Sequence, residues 1–223
     1  MRRAIRTTVG TFGTLAGLAG IEHGVGEILQ GSVAPAGIVI QSWPNSPWFQ
    51  ILNGEPAMTL VPNLLVTGIL ATLCSAALAA WSVLFAHKKH GALGVIVLSL
   101  AALPVGGGFG PPLLGTIVGL TATRIHAPLE RWRSRRTLAA LWPWAYAGAL
   151  ASWMLLCPGT SILDRVFKVR NMEIVVSVSI VASFGLLILA ILAALARDAG
   201  HEPAALRRGT GASRRLATRD GRA

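Results

Sequence analysis

The sequence predicts an all-α integral membrane protein, a bundle of about six transmembrane helical segments. Hydrophobic residues make up 53% of its 223 residues and charged residues only 13%, against roughly 25% charged in a soluble domain. The charges are segregated, leaving long stretches almost free of them. Arg and Lys cluster beside the apolar runs, the pattern that sets orientation in a bilayer. A formal charge of +11 would suggest nucleic acid in a soluble chain. Here the flanking positions account for it, and nucleic acid is not an expected partner. Arginine outnumbers lysine, and Ala and Gly are abundant, a composition that suits a GC-rich bacterial genome.

Four spans are plain, because a helix needs about 20 residues to cross a ~30 Å hydrocarbon core. They are residues 9–29, 57–86, 138–157 and 174–196. Segment 91–125 is too long for one helix and is broken by Pro104-Val105-Gly106-Gly107-Gly108-Phe109-Gly110-Pro111-Pro112. Such a run cannot form an ordinary helix interior. The segment therefore divides into short third and fourth arms, 91–103 and 112–125, joined by a Gly/Pro-rich turn. At 1.5 Å per residue each arm covers about 20 Å. Either both cross, the favoured form, or they make a re-entrant hairpin.

Charge sets the orientation. Arg2, Arg3 and Arg6 hold the N-terminus, 1–8, in the cytoplasm; the outer loop 31–56 contains no Lys or Arg; His87-Lys88-Lys89-His90 returns inside. With two arms, Arg124, Arg131, Arg133, Arg135 and Arg136 also fall inside, with the flexible basic tail 197–223. Of the 20 Lys and Arg, 17 are then cytoplasmic and only Arg165, Lys168 and Arg170 are outside. A single crossing would put the five loop arginines outside. The expected location is the cell (plasma) membrane, multi-pass, with both termini cytoplasmic. The first residues resemble a signal peptide, but no A-x-A cleavage pattern follows, so the segment is kept as the first helix.

Interfacial residues fit this map. Trp43, Trp48 and Phe49 belong to the outer loop, on a short element at the bilayer surface. Trp81, Trp142, Trp144 and Trp153 occupy belt positions near helix ends. The basic segment 130–136 and the tail arginines (Arg207, Arg208, Arg214, Arg215, Arg219 and Arg222) are suited to anionic lipid headgroups. Cys74 and Cys157 are expected at different depths, which argues against a disulfide.

The first helix carries the informative residues. Gly10, Gly13, Gly17, Gly20 and Gly24 form one smooth stripe, with Gly13-x-x-x-Gly17 and Gly20-x-x-x-Gly24 as small-residue pairs for close helix packing. The partner is a helix of this chain, a second copy, or another membrane protein. Glu22, His23 and Glu27 follow within six residues. A charge at the bilayer centre costs about 2.5–3.5 kcal/mol on insertion scales, so these groups must be paired or hydrated. His23 and Glu27 lie four apart on one face and are placed to hydrogen-bond. Glu22 points nearly the opposite way, and Glu27 lies near enough to the outer interface to reach water. His23 is suited to carrying a proton, with Glu22 or Glu27 as its partner or as a cation ligand. The second candidate is the turn Gly106, Gly107, Gly108 and Gly110. Its glycines would let a solute approach the backbone, and Pro111-Pro112 suits the first turn of a helix.

No catalytic residue, cofactor or metal site is assigned. H-E-x-x-H and G-x-S-x-G are absent, His87 and His90 sit on the opposite side from His23, and no further ligand lies in another membrane segment. The residues point to small-solute or proton handling through an outward-facing polar site on the first helix. The alternative is a non-catalytic subunit or assembly partner of a larger membrane complex, or a homo-oligomer.

Overall fold

The computed structural model describes residues 2–201, the side chain of Cys157 excepted. Among them are seven α-helices and one two-stranded antiparallel sheet. Helices α1 (Arg3–Gln30), α2 (Leu64–Leu84), α3 (Gly91–Ala102) and α4 (Gly110–Ala122) form one packed group. Helices α5 (Arg136–Met154), α6 (Thr160–Arg165) and α7 (Met172–Gly200) form a second, held to the first mainly by α1 against α7. Leu64–Leu84 and Met172–Gly200 are long and apolar enough to cross a membrane, and α3 is a shorter apolar helix.

The glycine stripe finds its partner within the chain. A Cβ at Gly13 would strike the Ser82 side chain, one at Gly17 the backbone of Ser75 and Ala79, and one at Gly24 the backbone of Gly68 and Thr72. The helices α1 and α2 therefore run antiparallel with small residues on both faces. A glycine inside a helix costs about 1 kcal/mol relative to alanine. Backbone-to-backbone approach is the return on that cost. Gly10 is the exception, since nothing would meet a Cβ there.

Several boundaries differ from those read in the sequence. Helix α1 starts at Arg3, so residues 3–8 belong to it. Helix α2 starts at Leu64, because Ala57 and Met58 pair in a strand and Asn63 caps the helix by accepting from Val66 N–H at 3.2 Å. The loop 31–56 is more than a surface element. Strand β1 (Val39–Gln41) pairs with β2 (Pro56–Met58) to form a small hairpin, a departure from an all-α chain. Helix α4 begins at Gly110 with Pro111-Pro112 in its first turn, where a missing N–H costs nothing.

The fifth helical segment continues past residue 157. After α5, a π-helical turn at Leu155–Gly159 leads into α6. Pro158 lies in this turn, and the wider i→i+5 winding accommodates a residue that lacks an N–H. Helix α7 extends to Gly200, so the expected tail boundary at 197 falls inside a helix. The reason is tertiary. Asp198 is buried and accepts from Ala4 N–H at 3.1 Å and Ile5 N–H at 2.9 Å. It thereby caps α1 from the other end of the chain. The tail arginines from Arg207 onward lie outside the described residues.

Three belt tryptophans turn inward instead. Trp81 donates to Gly91 O, Trp142 donates to the Thr8 hydroxyl and packs at a tilt against Tyr146, and Trp153 is buried edge-on to Phe184. Trp144 remains 78% exposed. Cys74 is a free thiol.

Candidate functional site

At its C-terminal end α1 joins a largely buried polar cluster built from three sources. The helix supplies Glu22, His23 and Glu27. The hairpin loop supplies Ser42 and Glu55, and the Gly/Pro turn between α3 and α4 supplies the floor. Gln30 ties the hairpin to the helix end, donating to Gln41 O and Ser42 O. The hairpin register then continues past the strands, with Ser42 N–H on Glu55 O and Trp43 N–H on Gly54 O. Trp43 stacks on Phe49 at 4.8 Å and closes the loop.

The two candidate features of the sequence become one site. Met58 O accepts from Gly106 N–H, and Pro104 O accepts from Leu60 N–H, so β2 docks on the turn. Gly106 and Gly108 have φ of +94° and +78°, a region that glycine alone enters freely. A Cβ on Gly106 would collide with the Glu27 carboxylate, and one on Gly108 with the His23 ring. The glycines therefore make room for these side chains. The amides of Gly106 and Gly107 are already paired with Met58 O and Ala102 O. Gly110 opens α4 with nothing near it.

A continuous chain of polar contacts runs through this cluster. The His23 Nε2 to Glu55 Oε2 distance is 3.1 Å, the His23 Nδ1 to Ser42 Oγ distance is 3.0 Å, and the Ser42 hydroxyl donates to Glu27 Oε1 at 3.2 Å. His23 and Glu27 are thus bridged by Ser42, in place of the direct bond expected from their spacing. Glu27 is also fully buried, so it does not reach water as expected. Both Glu22 oxygens and Glu27 Oε2 are buried without a hydrogen-bond partner. The Trp43 indole approaches Glu22 without closing a well-formed bond.

Glu22 shares a group with His23 and the loop residue Glu55. One ligand atom from each of Glu22, His23 and Glu55 lies within 4.8 Å of the other two, a grouping able to hold a metal ion. The charges facing Glu22 come from His23 and Glu55; those facing His23 come from Glu55, Glu22 and Glu27; those facing Glu27 come from His23 and Glu22. No Lys or Arg among the described residues belongs to this set, and none occurs in the sequence between Arg6 and Lys88. Three carboxyl groups therefore surround one imidazole.

Sequence reasoning missed Ser42 and Glu55. Glu55 did carry a signal, as the lone Asp, Glu, Lys or Arg between Glu27 and Lys88. It also follows Asn53-Gly54, a dipeptide that favours hairpin turns. Asn53, Gly54 and Glu55 all have positive φ, and for Glu55 this costs roughly 1–2 kcal/mol. The bend swings its carboxylate over His23. No protein-family model, curated protein or solved structure matches the chain.

Proposed function

We propose that this chain is a multi-pass membrane protein of about six helical segments, with both termini cytoplasmic, that handles a small cation at its outer end. The observation carrying this reading is the charge imbalance: Glu22, Glu27 and Glu55 gather around His23 with no basic side chain among them. Buried carboxylates each cost several kcal/mol unless compensated. A cation arriving from outside, proton or metal, is the natural compensation. The 14% exposure of the Glu55 side chain, against 4% for His23, supports entry past Glu55. Asp198 meets Ala4 and Ile5 at one end of α1 while the hairpin and Gly/Pro turn meet at the other, so in this reading the site lies on the side opposite the cytoplasmic N-terminus.

The test is flux. Purified protein is sealed into vesicles containing either a pH dye or a fluorescent chelator of divalent cations, and an inward gradient is applied. Uptake above that of protein-free vesicles, lost in Glu22→Gln, supports the reading. Uptake equal to that of empty vesicles for both cations removes it.

A second reading, a subunit or assembly partner, is favoured by one observation. The outer cap leaves Val33, Ile38, Val39, Trp48 and Leu60 exposed, an apolar surface suited to a neighbouring protein. The glycine stripe no longer speaks for that reading, because α2 occupies it. Copurification of a defined membrane protein that is lost in Val39→Asp would support it.

A further inference from the structure

We infer that Glu22, His23 and Glu55 form a binding site for a divalent first-row transition-metal ion such as Zn²⁺, with Ser42 and Glu27 positioning the imidazole. This rests on the cation reading above and names the cation.

The argument starts at Ser42, whose single hydroxyl proton is donated to Glu27 Oε1. Its oxygen is then an acceptor toward His23, so Nδ1 carries the hydrogen of that 3.0 Å contact. The other ring nitrogen, Nε2, faces Glu55 Oε2 at 3.1 Å, a contact that a second ring proton makes as an ion pair and that a bound cation would take over once that proton leaves. With Nε2 deprotonated, two acceptors would face each other at that distance, and a metal ion between them replaces the lost proton. A histidine that binds metal through one nitrogen usually donates its other N–H to a carboxylate, a carbonyl or water. Here the Ser42–Glu27 pair takes that part, with Glu27 fully buried.

Glu22 supplies the third ligand, and both its oxygens are without a partner and out of reach of solvent. Zn²⁺ binds nitrogen and oxygen at about 2.0–2.2 Å, which puts the ligands of one ion roughly 3–4 Å apart. The three atoms here lie within 4.8 Å of one another, so a contraction of about 1 Å, within the reach of side-chain rotation, would complete the site. Nitrogen and carboxylate oxygen suit borderline first-row ions. Three protein ligands leave one position for water or exchange, the pattern of open sites as opposed to structural ones. The turn leaves no room for a larger ligand, because Gly108 sits directly against His23.

The test is binding to the purified full chain in detergent, measured separately from flux. Zn²⁺ is titrated calorimetrically, and Co²⁺ is used to report ligand number through its visible spectrum. We expect one ion per folded chain. Glu55→Gln is expected to weaken it by about 100-fold, and Ser42→Ala, which removes only the support of the imidazole, by about 10–100-fold. Glu55→Gln lies on the hairpin, so it decides the matter even if His23→Gln fails to fold. Absence of Zn²⁺ binding by folded wild-type protein overturns the inference, as does binding unchanged in both Glu55→Gln and Glu22→Gln, which would place the ion at other histidines. Proton flux without metal binding overturns this inference alone. Metal binding without flux keeps the site and removes the transport reading.

Discussion

Replacing Asp198 with alanine isolates the contact that joins the two ends of the described chain. Its carboxylate accepts from Ala4 N–H and Ile5 N–H at 3.1 and 2.9 Å, and both donors belong to residues with at most 3% exposure. Hydrogen bonds to a charged partner contribute about 1.5–3 kcal/mol each, and loss of a helix N-cap alone costs about 0.5–2 kcal/mol. The carboxylate also complements the positive end of α1. Allowing water to reach the vacated space, we expect a loss of about 2–4 kcal/mol for Asp198→Ala. In a chain of this length that lowers Tm by roughly 5–15 °C. Asp198→Asn keeps one acceptor oxygen and should lose about half as much. Thermal unfolding in detergent, followed through tryptophan fluorescence, reads both values. A Tm for Asp198→Ala within about 1 °C of wild type would refute the capping role and the idea that α7 anchors α1.

Other outcomes follow from the packing and the site. Gly17→Leu should abolish monodisperse elution, because its side chain meets the Ser75 and Ala79 backbone; Gly10→Leu, in the same stripe, should elute normally. Gly106→Ala combines a positive φ with a collision against Glu27. It should cost about 2–5 kcal/mol by adding backbone strain to overpacking, read as a fall in Tm. With Cys74 and Cys157 replaced, an impermeant thiol reagent added to intact cells should label a cysteine at position 55 and spare one at 27; equal labelling would mean that Glu27 is not sealed. A cysteine at position 135 should react only after permeabilisation, and labelling in intact cells would reverse the proposed topology.

Legibility from sequence followed the range of the interactions. The glycine stripe, the Pro111-Pro112 helix start and the cost of Glu22, His23 and Glu27 could all be read, because each depends on neighbours within a turn or two. The strand at Pro56–Met58 could not be separated from α2 by hydropathy, since Ala57 and Met58 are as apolar as the helix they precede. Only the pairing with Val39–Gln41 distinguishes them. Helix geometry sets Glu22 apart from Glu27 but says nothing of the loop that folds back over the helix end and brings Glu55 to Glu22 and His23. Asp198 lies 194 residues from Ala4, and nothing local to it announces a cap.

The docking of β2 on the Gly/Pro turn also sets an order of assembly. Glu22, His23, Ser42 and Glu55 have all been synthesised well before the floor at Gly106–Gly108 exists. Roughly 50 further residues must be added, which takes about 3–10 s at 5–20 residues per second. During that interval the hairpin lacks its second docking partner and the carboxyl groups face an unfinished pocket. The site is thus completed by the arrival of α3 and α4, not by the helix that bears most of its charge. A nascent chain halted after α2 would carry the acidic residues without the enclosure that brings them into one electrostatic unit.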